Sequence, residues 1–220
     1  NSATANTIAI GAGRTLSIGG SVTIGYSSGA ATTTALTVSG AGTLAVGTAI
    51  APSNNNIQIG ANITDAYSNS GLLDLSGLAN FNAYLGTGFL RVGDPTNSSG
   101  TATKSSTLTL AANSLISASV IYLASPDAAS QYLKLGSGTN VLNVGSLLVV
   151  DGRSSGYLSF NGATGTLKVR SQADPVNGRA TLGVASTTFS TGSSPIGSFD
   201  VTGHSVDMLL GVVTVASRSA

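Results

Sequence analysis

A short pattern returns three times at a fixed step of 25 residues. Thr107-Leu108-Thr109-Leu110, Tyr132-Leu133-Lys134-Leu135 and Tyr157-Leu158-Ser159-Phe160 each open a unit. Each carries apolar residues at its second and fourth positions, and small, polar turn residues follow. Self-similarity at such a period marks a solenoid, in which every repeat is one coil that buries its apolar side on its neighbours. The feature constrains architecture strongly and chemistry weakly.

The clearest unit runs from Tyr132 to Gly156. It reads as a strand Tyr132 to Leu135, the turn Gly136-Ser137-Gly138, a strand Val141 to Val144, then Gly145, a strand Ser146 to Val150, and a closing cluster Asp151 to Gly156. The next unit repeats this with Tyr157 to Phe160, Gly165 to Val169 and Ala180 to Val184, its last turn enlarged by Gln172 to Gly178. Three short strands in about 25 residues is the length of one turn of a three-sided parallel β-helix.

Outside residues 107–184 the period loosens. Ala35 to Val38 and Leu72 to Leu75 also read as first strands, at steps of 37 and 35 residues. The excess falls in the turn-like stretches Ala51 to Asn56, Asp65 to Gly71 and Pro95 to Ser106, as solenoid insertions do. Thr7 to Ile10, Leu16 to Ile18 and Val22 to Ile24 form a triplet at one end. Phe199 to Val201, Val206 to Leu210 and Val212 to Val215 form one at the other. The expectation is a single all-β domain over 1–220, a parallel β-helix of about eight coils. Parallel strands pair at about 4.8 Å, so the stack would be roughly 35–40 Å long. An antiparallel sandwich also has many short strands, but like residues recurring in register favour the solenoid.

Composition agrees. The chain is 8% charged, against roughly 25% for an ordinary domain. Its 29 Gly supply corners. It has no Glu, one Met and three Lys, so helix formers are scarce. A net charge of +1 leaves no footprint for nucleic acid or an anionic membrane. No apolar run approaches the roughly 18 residues of a membrane helix, the longest being broken by Gly211. The absence of Cys leaves the redox compartment unread. No leader is readable at Asn1, which fits a mature form or an excised segment.

Several blocks carry a resemblance: Leu72-Leu73-Asp74-Leu75-Ser76, Phe89-Leu90-Arg91-Val92-Gly93, Thr107 to Asn113, Leu133 to Asn140, and Phe199 to Leu209. Over about Leu36 to Val215 the chain resembles the secreted bacterial autotransporter-associated or PEP-CTERM-associated β-strand repeat proteins, verrucomicrobial type. That resemblance implies a parallel β-helix at the cell surface or outside the cell, with no catalytic residues to carry over.

Candidate chemistry is sparse. Asp94, Asp127, Asp151 and Asp174 stand beside Pro or Gly where third strands end. If these corners stack, their oxygens would suit Ca²⁺. The plainer reading is turn chemistry, Asp bonding its own backbone. His204 is the only His, flanked by Asp200 and Asp207, which is acid–base equipment in kind. As a corner residue after Gly203 it needs no such role. The outward residues of the first strands, Asp74, Thr109, Lys134, Ser159 and Asp200, include no adjacent acid pair for a glycosidase.

Tyr67, Tyr84, Tyr122, Tyr132 and Tyr157 could form a sugar platform or a stabilising ladder, and Tyr132 should stack on Tyr157. Asn62 and Asn97 match the N-glycosylation pattern. At the ends, Ile8, Ile10, Val212, Val213 and Val215 are the candidates for self-association, head to tail or with flanking parts of the same chain. The function expected is a non-enzymatic extracellular structural segment or filament subunit, without cofactor. The alternative is a β-helix that binds or processes surface glycans through its enlarged loops.

Overall fold

The computed structural model describes residues 6–25, 33–60, 70–93, 105–123, 129–151, 155–186 and 196–216. Among these the protein is all-β, with no helix and eighteen strands in one sheet. The first six are β1 (Asn6–Ala9), β2 (Thr15–Ile18), β3 (Val22–Ile24), β4 (Thr33–Val46), β5 (Ile57–Ile59) and β6 (Ser70–Asp74). Then come β7 (Leu78–Tyr84), β8 (Phe89–Val92), β9 (Ser106–Thr109), β10 (Asn113–Leu123), β11 (Ser130–Leu135) and β12 (Thr139–Asp151). The last are β13 (Ser155–Phe160), β14 (Thr166–Arg170), β15 (Ala180–Ser186), β16 (Ile196–Phe199), β17 (Ser205–Met208) and β18 (Leu210–Val215).

Each register among these strands is parallel, and the pairings fall into three runs. The first links β1, β4, β6, β9, β11, β13 and β16. The second links β2, β4, β7, β10, β12, β14 and β17. The third links β3, β5, β8, β10, β12, β15 and β18. Strands β4, β10 and β12 are long because each serves two runs. Gly145, expected to separate a pair of strands, lies inside β12, whose backbone stays paired on both sides of it. This is the topology of a parallel sheet consistent with a β-solenoid.

The alternation read from the sequence sets which residues are buried. In the first run Leu36, Leu73, Leu108, Leu133, Leu158 and Phe199 share one row. In the second, Ile18, Val46, Ala83, Ile116, Leu142, Val169 and Met208 share another. In the third, Ile24, Ile59, Val92, Leu123, Val149, Val184 and Val215 do the same. Leu108, Leu110, Leu133, Leu135 and Leu158 are fully buried, as the ladder required, while Phe160 is half-buried. Each fully buried Leu contributes about 1.5–3 kcal/mol by leaving water. The expected alignment of Ala35, Leu72, Thr107, Tyr132 and Tyr157 is the observed register, so the longer steps of 37 and 35 residues preserve phase.

Several polar residues are buried in this core, among them Asn140 and Ser114. Asn140 lies in the row of Phe81 and Leu167 and is wholly buried. Its Oδ1 accepts from the Gly136 N–H at 2.8 Å, and its Nδ2 donates to the Gly136 and Thr166 carbonyls at 2.9 and 3.2 Å. It closes the corner between β11 and β12 by satisfying backbone groups that no strand can reach. Ser114, one row position away in β10, donates to the Ala111 carbonyl at 3.3 Å.

Where the third run ends, the chain turns through a left-handed residue at every described level. Gly25, Gly60 and Gly93 take φ of 80°, 81° and 111°. The same row then holds Val150, Ala185 and Ala216 at 86°, 54° and 52°. Glycine adopts this conformation without steric cost, whereas a β-branched residue there is strained by about 1–3 kcal/mol. Val150 is held in place by burial and by the bare backbone of Gly156, where a Cβ would stand 2.7 Å from Val150 Cγ2.

Candidate functional site

Of the four aspartates singled out by the sequence, the two described ones, Asp151 and Asp174, lie at different corners. Asp151 closes β12 and pairs in register with Ser186, at the corner after the third run. Asp174 lies in the loop between β14 and β15, at the corner between the second and third runs. Its Oδ1 accepts the Asn177 and Val176 N–H groups at 3.0 Å each, and these bonds hold its carboxyl below the usual range. That is turn chemistry. Asp94, Asp127, Asn62, Asn97 and Tyr67 lie outside the described residues. Among the described residues no group of three His, Cys, Asp or Glu side chains comes together.

His204 and its two acidic neighbours face different partners. Asp200 Oδ1 accepts the Thr202 N–H at 3.0 Å, and this bond foremost lowers its pKa. Asp207 pairs with Arg170 at 2.6 Å, and that hydrogen bond is the main cause of its lowered pKa. The His204 ring stacks flat on Phe160, centroids 3.7 Å apart and planes at 9°. Its Nδ1 is buried without a hydrogen-bond partner. The group is a corner clamp between β13 and the turn before β17.

The tyrosines divide among the three runs. Tyr132 and Tyr157 stack, centroids 5.1 Å apart at 15°, because they are register partners in the first run. Tyr84 belongs to the second run and Tyr122 to the third. Tyr122 meets Phe89 edge-on at 5.9 Å, with the Arg91 guanidinium 4.5 and 4.8 Å from the two ring centres. No five-membered aromatic stack forms. At the ends, Ile8, Val212, Val213 and Val215 are exposed, but Ile10 is buried, its N–H donating to the Ser39 carbonyl at 2.8 Å.

Sequence reading missed a strap. Arg170 ends β14 almost fully buried. It donates from Nε to the Val176 carbonyl at 3.2 Å and from Nη1 to the Asp207 carbonyl at 3.0 Å. This pins the 171–179 loop down. Gln172 then reaches back along the stack, its Nε2 donating to the Gly86 carbonyl at 2.7 Å. Between strap and sheet lies an open cleft of about 400 Å³, lined by Asn54, Gly86, Thr87, Ser119, Gln172 and Ala173. The only advance signal was the enlarged turn Gln172 to Gly178.

None of the described residues lining the cleft is titratable, so none of these could act as a general acid or base. Its polar groups are engaged with backbone: Asn54 Oδ1 accepts the Thr87 N–H at 3.1 Å, and Ser119 Oγ donates to the Gly88 carbonyl at 2.8 Å. It can offer amide and hydroxyl contacts to a neutral polar ligand. Compared with known proteins, the chain matches no family model, no curated protein and no solved structure.

Proposed function

We propose that the chain is a rigid, non-enzymatic structural module that works outside the cell or at its surface. On this reading it is a three-sided parallel β-helix, each of whose three runs links seven strands among the described residues. The observation that carries this reading is the register itself. All three runs continue from the first triplet of strands to the last, while the enlarged segments fall between strands. A rod of this kind transmits length and stiffness and needs few charges. The resemblance to secreted surface repeat proteins and the 8% charge support the location.

Electron microscopy of the purified chain tests the shape, with short rigid rods expected and compact spheres contrary to the reading. The cleft beside the strap supports a second reading, a glycan-binding β-helix. A glycan array separates the two. Specific micromolar binding abolished by Gln172→Ala would establish the second; no such binding is the outcome for a spacer.

A further inference from the structure

The chain holds two Asn-Gly pairs, Asn161-Gly162 and Asn177-Gly178, and the fold treats them differently. We infer that Asn161 is a self-modifying site, which loses its side-chain amide to give aspartate and isoaspartate, while the strap protects Asn177. The difference lies in the two corners alone and does not depend on the rod reading above.

In such a pair the backbone nitrogen after Asn is the nucleophile. The Gly162 N–H gives its proton to hydroxide, and the nitrogen bonds to Asn161 Cγ. The Cγ–Nδ2 bond breaks, and Nδ2 leaves as ammonia with a proton taken from water. The five-membered imide left behind adds one water at either carbonyl, giving aspartate or isoaspartate at position 161. Nothing is oxidised or reduced. Glycine matters because, without a Cβ, it leaves its nitrogen open to approach.

The corner around Asn161 is slack. Phe160 ends β13 and Thr166 opens β14, so the corner spans 161–165. One coil earlier, between β11 and β12, the same corner takes only 136–138. The longer corner is tied at two places, by the Asn161 N–H on the Leu135 carbonyl at 2.9 Å and by the Thr164 hydroxyl on the Ser137 carbonyl at 3.0 Å. Between these ties residues 161–163 are exposed. Among the described residues, neither the Asn161 side-chain amide nor the Gly162 N–H has a hydrogen-bond partner. A Cβ added to Gly162 would meet nothing within 4 Å. Nucleophile and electrophile can therefore close without breaking any hydrogen bond of the fold. The same slack takes up the longer isoaspartyl backbone.

The second pair sits in the strap and is held. The Gly178 N–H donates to the Asp174 carbonyl at 2.9 Å, so the nucleophile is occupied. The Val176 and Asn177 N–H groups donate to Asp174 Oδ1 at 3.0 Å each. The Gly178 carbonyl accepts the Ser171 N–H at 3.1 Å, and the Val176 carbonyl accepts Arg170 Nε at 3.2 Å. A Cβ added to Gly178 would stand 2.5 Å from the Asp174 carbonyl oxygen, a measure of how closely the backbone packs there. Reaction at Asn177 requires the strap to open first, and local opening then sets its rate.

Peptide mapping by mass spectrometry, after the folded chain is incubated at mildly alkaline pH, tests this directly. The Asn161 peptide should gain the mass of an amide-to-acid exchange and become a substrate for an isoaspartyl methyltransferase. The Asn177 peptide should convert at least about tenfold more slowly, the factor imposed by about 1.4 kcal/mol of opening. In denaturing urea the two should convert within about twofold of each other, since the protection belongs to the fold. Gly162→Ala, whose methyl group enters open space, should slow the Asn161 reaction at least about tenfold and leave the melting curve unchanged. An intact Asn161, equal rates at the two sites in the folded chain, a difference that persists in urea, or an Asn161 reaction insensitive to Gly162→Ala would overturn the inference.

Discussion

The middle of the stack and its two ends are written in the same alphabet and live in different environments. Leu108, Leu133 and Leu158 are 0% exposed, whereas Ile8 is 38% and Val213 is 56% exposed in equivalent inward rows. The strand alternation is the same in both places. What differs is the number of neighbouring coils, two in the middle and one at an end. Burial here is a property of position in the stack, so one substitution should have very different costs at the two places.

The largest expected effect is at the centre. Leu133→Asp puts an unpaired carboxylate into a dry row and should cost about 4–5 kcal/mol or prevent folding. Val213→Asp, the same change at the end, should shift urea unfolding by no more than about 0.5 kcal/mol. Similar losses at both positions would break the comparison. Next comes Asn140→Ala, which leaves the buried Gly136 N–H without its partner and should cost about 2–3 kcal/mol.

The corner row sharpens the comparison. Gly60→Ala forces a side chain into the left-handed region and should destabilise by about 1–2 kcal/mol. Ala185→Gly relieves the same conformation and should raise the melting temperature, a gain below about 1 kcal/mol. Opposite signs are the expected result; a loss from both would show that the later corners are not strained.

The smallest effect belongs to the exposed Asp207. Its pKa is lowered, chiefly by the Arg170 hydrogen bond, so its contribution is present above the unfolded value and lost as pH falls through the folded one. Melting curves of Asp207→Asn should therefore match the parent only in acid below the lowered pKa of Asp207, and fall slightly below it at neutral pH. A constant offset at all pH values would detach the ion pair from this effect.

Much of the fold was legible because it is written in alternation. The steps linking Ala35, Leu72, Thr107, Tyr132 and Tyr157 could be read directly, since Leu at every second position marks the inward face whatever the loop length. The corner at Val150, Ala185 and Ala216 was not legible, because a positive φ in a non-glycine residue leaves no compositional trace. Nor was the Gln172–Gly86 contact, which joins residues 86 positions apart through a loop that carries no periodic signal. The acid–base look of Asp200, His204 and Asp207 came from adjacency in sequence, but Asp200 serves its own turn, His204 packs on Phe160 and Asp207 on Arg170.

The central claim is that each register step is one interchangeable coil. Removing residues 132–156 joins Gln131 to Tyr157, the register partner of Tyr132, and deletes one strand from each run. Removing residues 131–138 deletes a strand from the first run alone. Unfolding followed by circular dichroism compares them directly. The expected result is cooperative melting for the whole-coil deletion, in a particle shorter by about 4.8 Å, and loss of folding for the one-strand deletion. A whole-coil deletion as damaging as the one-strand deletion would contradict the account.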